Sequence, residues 1–311
     1  MQEIIINQND AGQRVDKFLQ KYLYSAPLGL IYKYIRTNKV KLNGKKPAVS
    51  QKLLAGDVLR LYILEDFTKK TAFVPAKGGV RVAFEDENFV VLEKEAGVPC
   101  QSGNAALGES LADRLKTHLY QNGEYNPDKE HSFSPALCNR LDTNTRGLVI
   151  GAKNAEALRQ MNEAIKAKNV EKTYLCICRG TPPKDEGRLE GYILKDKKNN
   201  KSVIVENCPE GAKAVVTCYR VLAKGRGASL LEVNLITGRS HQIRAHMASV
   251  GCPLLGDAKY GGGEGGQWLC AWKLYFNVAA EGVFAKIGQK TIALSGAREE
   301  FYAFFHKKFG V

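Results

Sequence analysis

The sequence contains no apolar run long enough to span a membrane, and its opening, Met1-Gln-Glu-Ile, has no basic segment leading into an apolar stretch. A bilayer-crossing helix needs roughly 20 apolar residues, so no membrane-spanning helix is expected and the protein reads as cytoplasmic. There is no C-x-x-C, no H-x-x-x-H, no G-x-S-x-G and no Lys-Ser/Thr after a glycine-rich turn. Those absences remove common zinc sites, the hydrolase elbow and the phosphate-binding loop. Acidic residues are also scarce: 32 Asp and Glu stand against 46 Lys and Arg, a net charge of +14 in 311 residues. Such an excess favours a polyanionic partner, because Lys and Arg drive nucleic-acid affinity by neutralising phosphates.

The eight cysteines include Cys176, Cys178 and Cys218 inside apolar runs. This placement reads as reduced, buried thiols. Cys176 and Cys178 share one face of an expected strand, but no further ligands accompany them, so no metal is expected.

Half of the positive excess sits in residues 1–70, which hold 13 basic and 6 acidic residues. Gly12 onward starts a helix with Val15, Phe18, Leu19 and Leu23 on one face. Pro27 introduces a second helix near Leu30 to Thr37. Val40-Lys-Leu-Asn-Gly44 reads as a strand entering an Asn-Gly turn, and Gly56 to Ile63 as a turn and strand. Lys33, Arg36 and Lys39 lie in a stretch free of acidic residues, with Tyr32 and Tyr34 interleaved. The reading is a small α/β RNA-contacting module over 1–66, with a solvated helix face as the plainer alternative. Residues 67–79, with Pro75 and the Gly78-Gly79 pair, read as a linker.

From residue 80 a second domain is expected to run to 311. Val80 to Phe84 and Phe89 to Lys94 read as strands around an acidic turn, and Ser110 to Gln121 as a helix. Residues 122–134 read as an exposed polar loop. Asn139-Arg-Leu-Asp-Thr-Asn-Thr-Arg-Gly147 is a polar loop feeding the apolar run Leu148-Val149-Ile150, which suits a buried strand. A carboxylate such as Asp142, on a loop anchored by a core strand, is placed where chemistry is often found. The plainer reading is a turn aspartate bonding its own backbone.

Asn154 is set to cap a helix carrying Leu158, Met161 and Ile165. A strand from Lys172 to Cys178 follows. Residues 181–213 read as irregular, with a solvated turn at Lys195 to Lys201. Ala214 to Leu222 and Ser229 to Leu235 alternate as paired strands. Gly238-Arg-Ser-His-Gln-Ile-Arg-Ala-His246 leads into Gly251-Cys-Pro-Leu-Leu-Gly-Asp-Ala-Lys-Tyr-Gly261. His241 and His246 are five apart, which does not align two ligands on a helix, so both read as RNA-contacting or structural rather than as metal ligands. Ser295 to Phe309 reads as a closing helix with Phe301, Phe304 and Phe305 inward.

Three of these segments resemble the RluA-type RNA pseudouridine synthases. The loop resembles that family's H-R-L-D-x-x-T-S-G, with Asn139 for His and Arg146 for Ser. Lys172 and Tyr174 meet its K-x-Y. The 238–261 stretch resembles G-R-x-H-Q-I-R-x-H and G-x-P-x-x-G-D-x-x-Y-G at almost every position, which separates the chain from RsuA-type enzymes. The first 66 residues resemble a module first seen in a small-subunit ribosomal protein.

The resemblance implies an α+β fold: a mixed, mostly antiparallel sheet in the catalytic domain, beside the small N-terminal module. It implies catalysis by Asp142 without a cofactor, with Arg244 as the carboxylate's partner and Tyr174 stacking on the base and serving as a candidate proton acceptor. Arg140, Thr145, Lys172, Arg239, His241, Gln242 and His246 are expected to contact RNA. The two departures beside Asp142 bear on substrate preference more than on chemistry. Large-subunit ribosomal RNA is the expected substrate, transfer RNA the second choice, and the protein is expected to be a monomer. The rival reading is a non-catalytic RNA-binding ribosome-assembly factor.

Overall fold

The computed structural model describes residues 1–63, 67–68, 73–102, 110–196 and 198–310. The expected boundary at residue 66, part of the expected linker, and Lys197 of the expected turn lie outside the described residues. No helix among the described residues is long and apolar enough to cross a membrane.

The N-terminal elements are β1 (Gln2–Ile5), α1 (Val15–Tyr22), α2 (Leu28–Arg36), β2 (Val40–Leu42) and β3 (Val58–Leu61). Their strands make a separate antiparallel sheet in the order β1-β3-β2. Val15, Phe18 and Leu19 from α1 meet Ile31 and Ile35 from α2 over Leu59 and Leu61, in a core of their own. Asn43 (φ +50°) and Gly44 (φ +79°) both adopt the left-handed conformation that a two-residue hairpin turn requires. The Asn43 side chain fastens the turn, donating to Asp57 Oδ1 at 2.8 Å and accepting from Val58 N at 2.9 Å.

The remaining elements are β4 (Arg81–Glu85), β5 (Phe89–Lys94), α3 (Leu111–Gln121), β6 (Ala136–Leu137), β7 (Arg146–Ala152), α4 (Ala155–Lys166), β8 (Val170–Arg179), β9 (Glu186–Asp196), β10 (Lys201–Val205), β11 (Lys213–Gly225), β12 (Ala228–Leu235), α5 (Gln242–Ser249), β13 (Leu269–Phe276), β14 (Thr291–Ala293) and α6 (Ala297–Phe309). One sheet of eleven strands takes the path β10-β9-β11-β12-β8-β13-β7-β5-β4, with β6 beside β7 and β14 beside β13. Its pairings are antiparallel except β13 with β7.

Helices cover both faces, so the central strands are apolar on both sides and carry continuous hydrophobic runs. Val90, Leu92 and Val149 pack under Leu111, Leu115 and Leu119 of α3. Their neighbours Phe89, Val91, Leu148 and Ile150 point the other way, to Ala157 and Met161 of α4. Asn154 caps α4 as expected, accepting from Ala157 N at 2.9 Å. Phe301 and Phe305 of α6 close over Leu175, Ile177 and Leu230. Phe304 is half-buried and stacks on Trp268, ring centroids 3.7 Å apart.

Three regions differ from expectation. Residues 181–213 are not irregular, because β9 and β10 form a hairpin that ends the sheet. Alternation in β9 is blurred because this strand, second from the end of the sheet, buries little on either face, and Gly187 leaves room for the Tyr219 ring. Residues 122–134 are not simply exposed: Tyr125 and Phe133 are buried. His131 and Ser132 from this stretch grip the wholly buried Asp10 through Nδ1 (2.8 Å) and Oγ (2.6 Å), and the His131 ring stands edge-on to Phe18 and Tyr22. They thereby join the N-terminal elements to the rest. Residues 73–79 of the expected linker lie on α3, with Ala76 N donating to Thr117 Oγ1 at 2.8 Å and Phe73 against Tyr120.

Candidate active site

A cavity of about 510 Å³ opens across the middle of the large sheet. Its wall is the loop before β7, the end of α4, the start of β8, and the segment from Leu235 into α5. Among the described residues Asp142 is the one carboxylate in that wall, which also contains Arg140, Lys166, Lys168, Lys172, Arg239 and Arg244.

The loop that presents Asp142 is fixed from several sides. Thr145 N donates to Asp142 O at 3.0 Å, closing a turn. The buried Lys94 donates to the carbonyls of Glu95, Val98 and Thr143 at 2.9, 2.7 and 2.7 Å. Burial lowers its pKa to about 8, with Cys100 and Asp142 opposing the shift. The Cys100 thiol accepts from Leu141 N at 3.2 Å and donates to Leu141 O at 3.4 Å. Gly147 (φ +127°) lies so close to the Ala271 backbone that a Cβ would overlap it, so the loop can enter β7 there only through glycine.

Arg244, in the first turn of α5, reaches Asp142 from the opposite wall. Its Nη1 donates to Asp142 Oδ2 at 3.1 Å, while Nε and Nη2 form a fork on Asp257 at 2.7 and 2.9 Å. The Arg244 guanidinium lies over the Tyr260 ring, its Cζ 4.9 Å from the ring centre. His241 caps the helix in the left-handed conformation (φ +58°), with Nε2 3.8 Å from Asp142 Oδ2 and Nδ1 3.0 Å from Tyr260 Oη. Burial lowers the His241 pKa, and Asp142 acts against that shift. Tyr174 projects from β8. Burial, reinforced by Asp142, raises its phenol well above the ordinary value.

The other expected site residues divide into two groups. Arg140, Lys172, Arg239 and His241 line the cavity. Arg140 is exposed and donates to Ser240 Oγ at 2.6 Å. Lys172 is half-buried, and burial lowers its pKa. Thr145 borders the cavity with its hydroxyl held by Gln267 at 3.2 Å. Gln242 also borders it, but its amide is fully engaged: Nε2 donates to Val216 O and Thr217 Oγ1, and Oε1 accepts from Thr237 Oγ1 and Arg239 N. His246 is outside the wall, buried, with Nδ1 2.7 Å from Thr217 Oγ1. Gln242 is therefore corrected from an RNA contact to framework, and His246 takes the structural of its two readings, because the inward face of a short helix packs on β11. Lys33, Arg36 and Lys39 are exposed on and just after α2, away from the cavity wall.

The two departures from the signature loop are both tied to the framework, although Asn139 also borders the cavity. Asn139 accepts from Ile150 N at 2.8 Å. Arg146 turns out to Glu300 at 2.7 Å and over Phe301. Sequence reasoning missed Asp257 and Tyr260 as site residues, although both stand inside the quoted G-D-x-x-Y-G. Lys166 and Lys168, at the end of α4, carried no signal. Among the described residues no group of three or more His, Cys, Asp or Glu comes together as a metal site.

The sequence profile described as RNA pseudouridylate synthase matches residues 88–249, a span containing Asp142, Tyr174 and Arg244. The ribosomal large subunit pseudouridine synthase C of Rickettsia bellii is 31% identical over 272 residues, covering 83% of this chain and 86% of that protein. The protein of the same name from Yersinia pestis is 30% identical over 275 residues, covering 86% and 82%. Among solved structures, human RNA Pseudouridylate Synthase Domain Containing 4 shares the fold with a TM-score of 0.57 at 23% identity, over 73% of this chain and 92% of that one. Matched over half its length by the family profile, and over most of it by these relatives, the chain belongs to the RNA pseudouridylate synthase family of isomerases.

Proposed function

We propose that the chain converts uridine to pseudouridine in large-subunit ribosomal RNA, with Asp142 as the reacting carboxylate. The observation that carries this is the Asp142–Arg244 contact in a wall otherwise supplied with cations. A carboxylate in a water-poor pocket tends to be neutralised, and a donating guanidinium favours its ionised form and sets its direction. An ionised carboxylate can add to, or stabilise, the ribose carbon as the bond to the base nitrogen breaks. Tyr174 offers a ring for the detached base to lie against. The product is an isomer of the substrate, so no redox equivalent enters the balance.

A uridine in folded RNA must leave its stack, at a cost of a few kcal/mol. Arg140, exposed beside Asp142, is placed to fill the vacated space or to hold a flanking phosphate. Lys33, Arg36 and Lys39 supply a separate backbone contact on the N-terminal module, residues 1–66. The relatives' names favour ribosomal over transfer RNA, and a cytoplasmic, monomeric enzyme agrees with that substrate.

Pseudouridine mapping of total RNA from a deletion strain, complemented with wild type or Asp142→Asn, tests this. Sites in large-subunit RNA should vanish and return only with wild type. Sites in transfer RNA would move the substrate. Unchanged sites, or full rescue by Asp142→Asn, would leave a binding protein.

A further inference from the structure

The isomerisation needs a base late in the reaction. Once the ring carbon C5 has bonded to ribose C1′, C5 holds both the new bond and its original hydrogen. The C5–H bond must break, its electron pair restoring the ring double bond, while N1 gains a proton. One proton leaves carbon and one arrives at nitrogen, so no co-reactant is required. The acceptor must reach C5 and must be unprotonated beforehand.

The cavity offers few such groups. Lys and Arg side chains are ordinarily protonated and then hold no free lone pair. Asp142, released as C1′ bonds to C5, has its Oδ2 held by Arg244 Nη1 at 3.1 Å, and a carboxylate is ordinarily a weaker base than an imidazole. Tyr174 is neutral and its phenol is held well above the ordinary value by burial, so it is a poor acceptor. His241 remains.

Hydrogen-bond accounting fixes its tautomer. Ser202 is on β10, whose outer edge has no neighbouring strand among the described residues, and Tyr260 takes that place. Its hydroxyl accepts from Ser202 N at 2.8 Å and donates its single proton to Ser202 O at 3.0 Å. His241 Nδ1, 3.0 Å from the same oxygen, must then be the donor. The Nε2 lone pair is left free, 3.8 Å from Asp142 Oδ2.

We propose that His241 Nε2 is the base that takes the C5 proton and then returns a proton to N1, a catalytic role resting on the function proposed above. Ribose C1′ reacts at Asp142, and C5 is one bond beyond it, so C5 passes within reach of Nε2. The imidazolium forms when Asp142 has just been released as a carboxylate beside it. Asp142 and Asp257 favour that cation, Arg244 and Lys259 oppose it, and burial, the largest influence, lowers the pKa and so favours the neutral imidazole. His241 holds a left-handed backbone, a conformation in which histidine, asparagine and aspartate are enriched among the residues other than glycine.

Glycine and asparagine both accept this backbone, so His241→Gly and His241→Asn should fold. The test follows tritium release from [5-³H]uridine in the substrate RNA under single-turnover conditions. His241→Gly should slow release by about 10²–10⁴-fold with little change in RNA affinity. A deuterium isotope effect at C5 should appear, and added imidazole should restore release. His241→Asn should be equally slow but beyond rescue. Release by His241→Gly within a few-fold of wild type, or slow release with no C5 isotope effect and no imidazole rescue, overturns the proposal. A wild-type protein that releases no tritium from any RNA overturns instead the function on which the proposal rests.

Discussion

Arg244 gives Asp142 one guanidinium nitrogen and Asp257 the other two. The uneven division explains how a flexible side chain can aim a carboxylate, because the fork on Asp257 fixes the plane and the remaining N–H points into the cavity. Asp257 is almost fully buried. Asp257→Ala should therefore leave a cation without its main partner and lower stability by about 3–5 kcal/mol, with activity falling alongside. Urea unfolding reads the first and tritium release the second. An unchanged unfolding midpoint would mean that water or Asp142 alone satisfies Arg244.

Asp142→Asn keeps the shape of the side chain and still lets the Oδ atom accept from Arg244. The variant should fold, retain RNA affinity within a few-fold, and lose at least about a thousandfold in rate, as expected when a reacting group is removed and only binding contributions remain. Filter binding and single-turnover kinetics on one RNA separate the two effects. A variant that lost binding as much as rate would assign Asp142 to substrate grip.

Asp142 could be found in the sequence because a contiguous loop carries it, and Arg244 because a second contiguous motif does. Their contact was not legible, since 102 residues and most of the large sheet separate them. Tyr260 was missed for the same reason. It is legible as a letter in a motif, but its use depends on the outer edge of β10, a strand whose weak alternation reads as irregular. The strand β13 carried no expectation, yet it is the element that joins β7 to β8 and so brings the two halves of the site together. Its residues are buried on both faces, which removes the period-two signal.

Arg146 looked from the sequence like a specificity change next to the reacting residue. In the fold it belongs to α6, through Glu300 and Phe301. The pair is partly exposed, so Arg146→Ala should cost only about 1 kcal/mol. The set of modified uridines should not change. Thermal unfolding and pseudouridine mapping of the complemented strain check both statements, and a shifted site pattern would return Arg146 to the substrate interface.

Asp10 is fully buried and held by His131 and Ser132 from across the chain. Asp10→Ala removes two hydrogen bonds to a charged group, each worth about 1.5–3 kcal/mol. The expected result is local: faster amide exchange in α1, unchanged exchange in β7, and weaker RNA binding because the basic residues after α1 lose their fixed position. Hydrogen exchange by mass spectrometry resolves the two elements. Equal acceleration in both would show that the contact supports the whole fold.

His246 supplies the acid limb of stability. Burial lowers its pKa to about 4, against roughly 6.5 for an unperturbed histidine. Above pH 6.5 the ring is neutral in both folded and unfolded chains, and its protonation contributes nothing to the balance. Between 6.5 and 4 the unfolded chain binds the proton while the folded chain does not, so stability falls as pH falls. Below 4 both are protonated and the loss is complete. A shift of that size corresponds to at most about 3 kcal/mol. His246→Asn, whose amide can still meet Thr217, removes the titration. Urea unfolding at pH 7 and pH 4.5 should therefore show wild type losing more stability than the variant across that interval. Equal losses would place the proton sensitivity elsewhere in the fold.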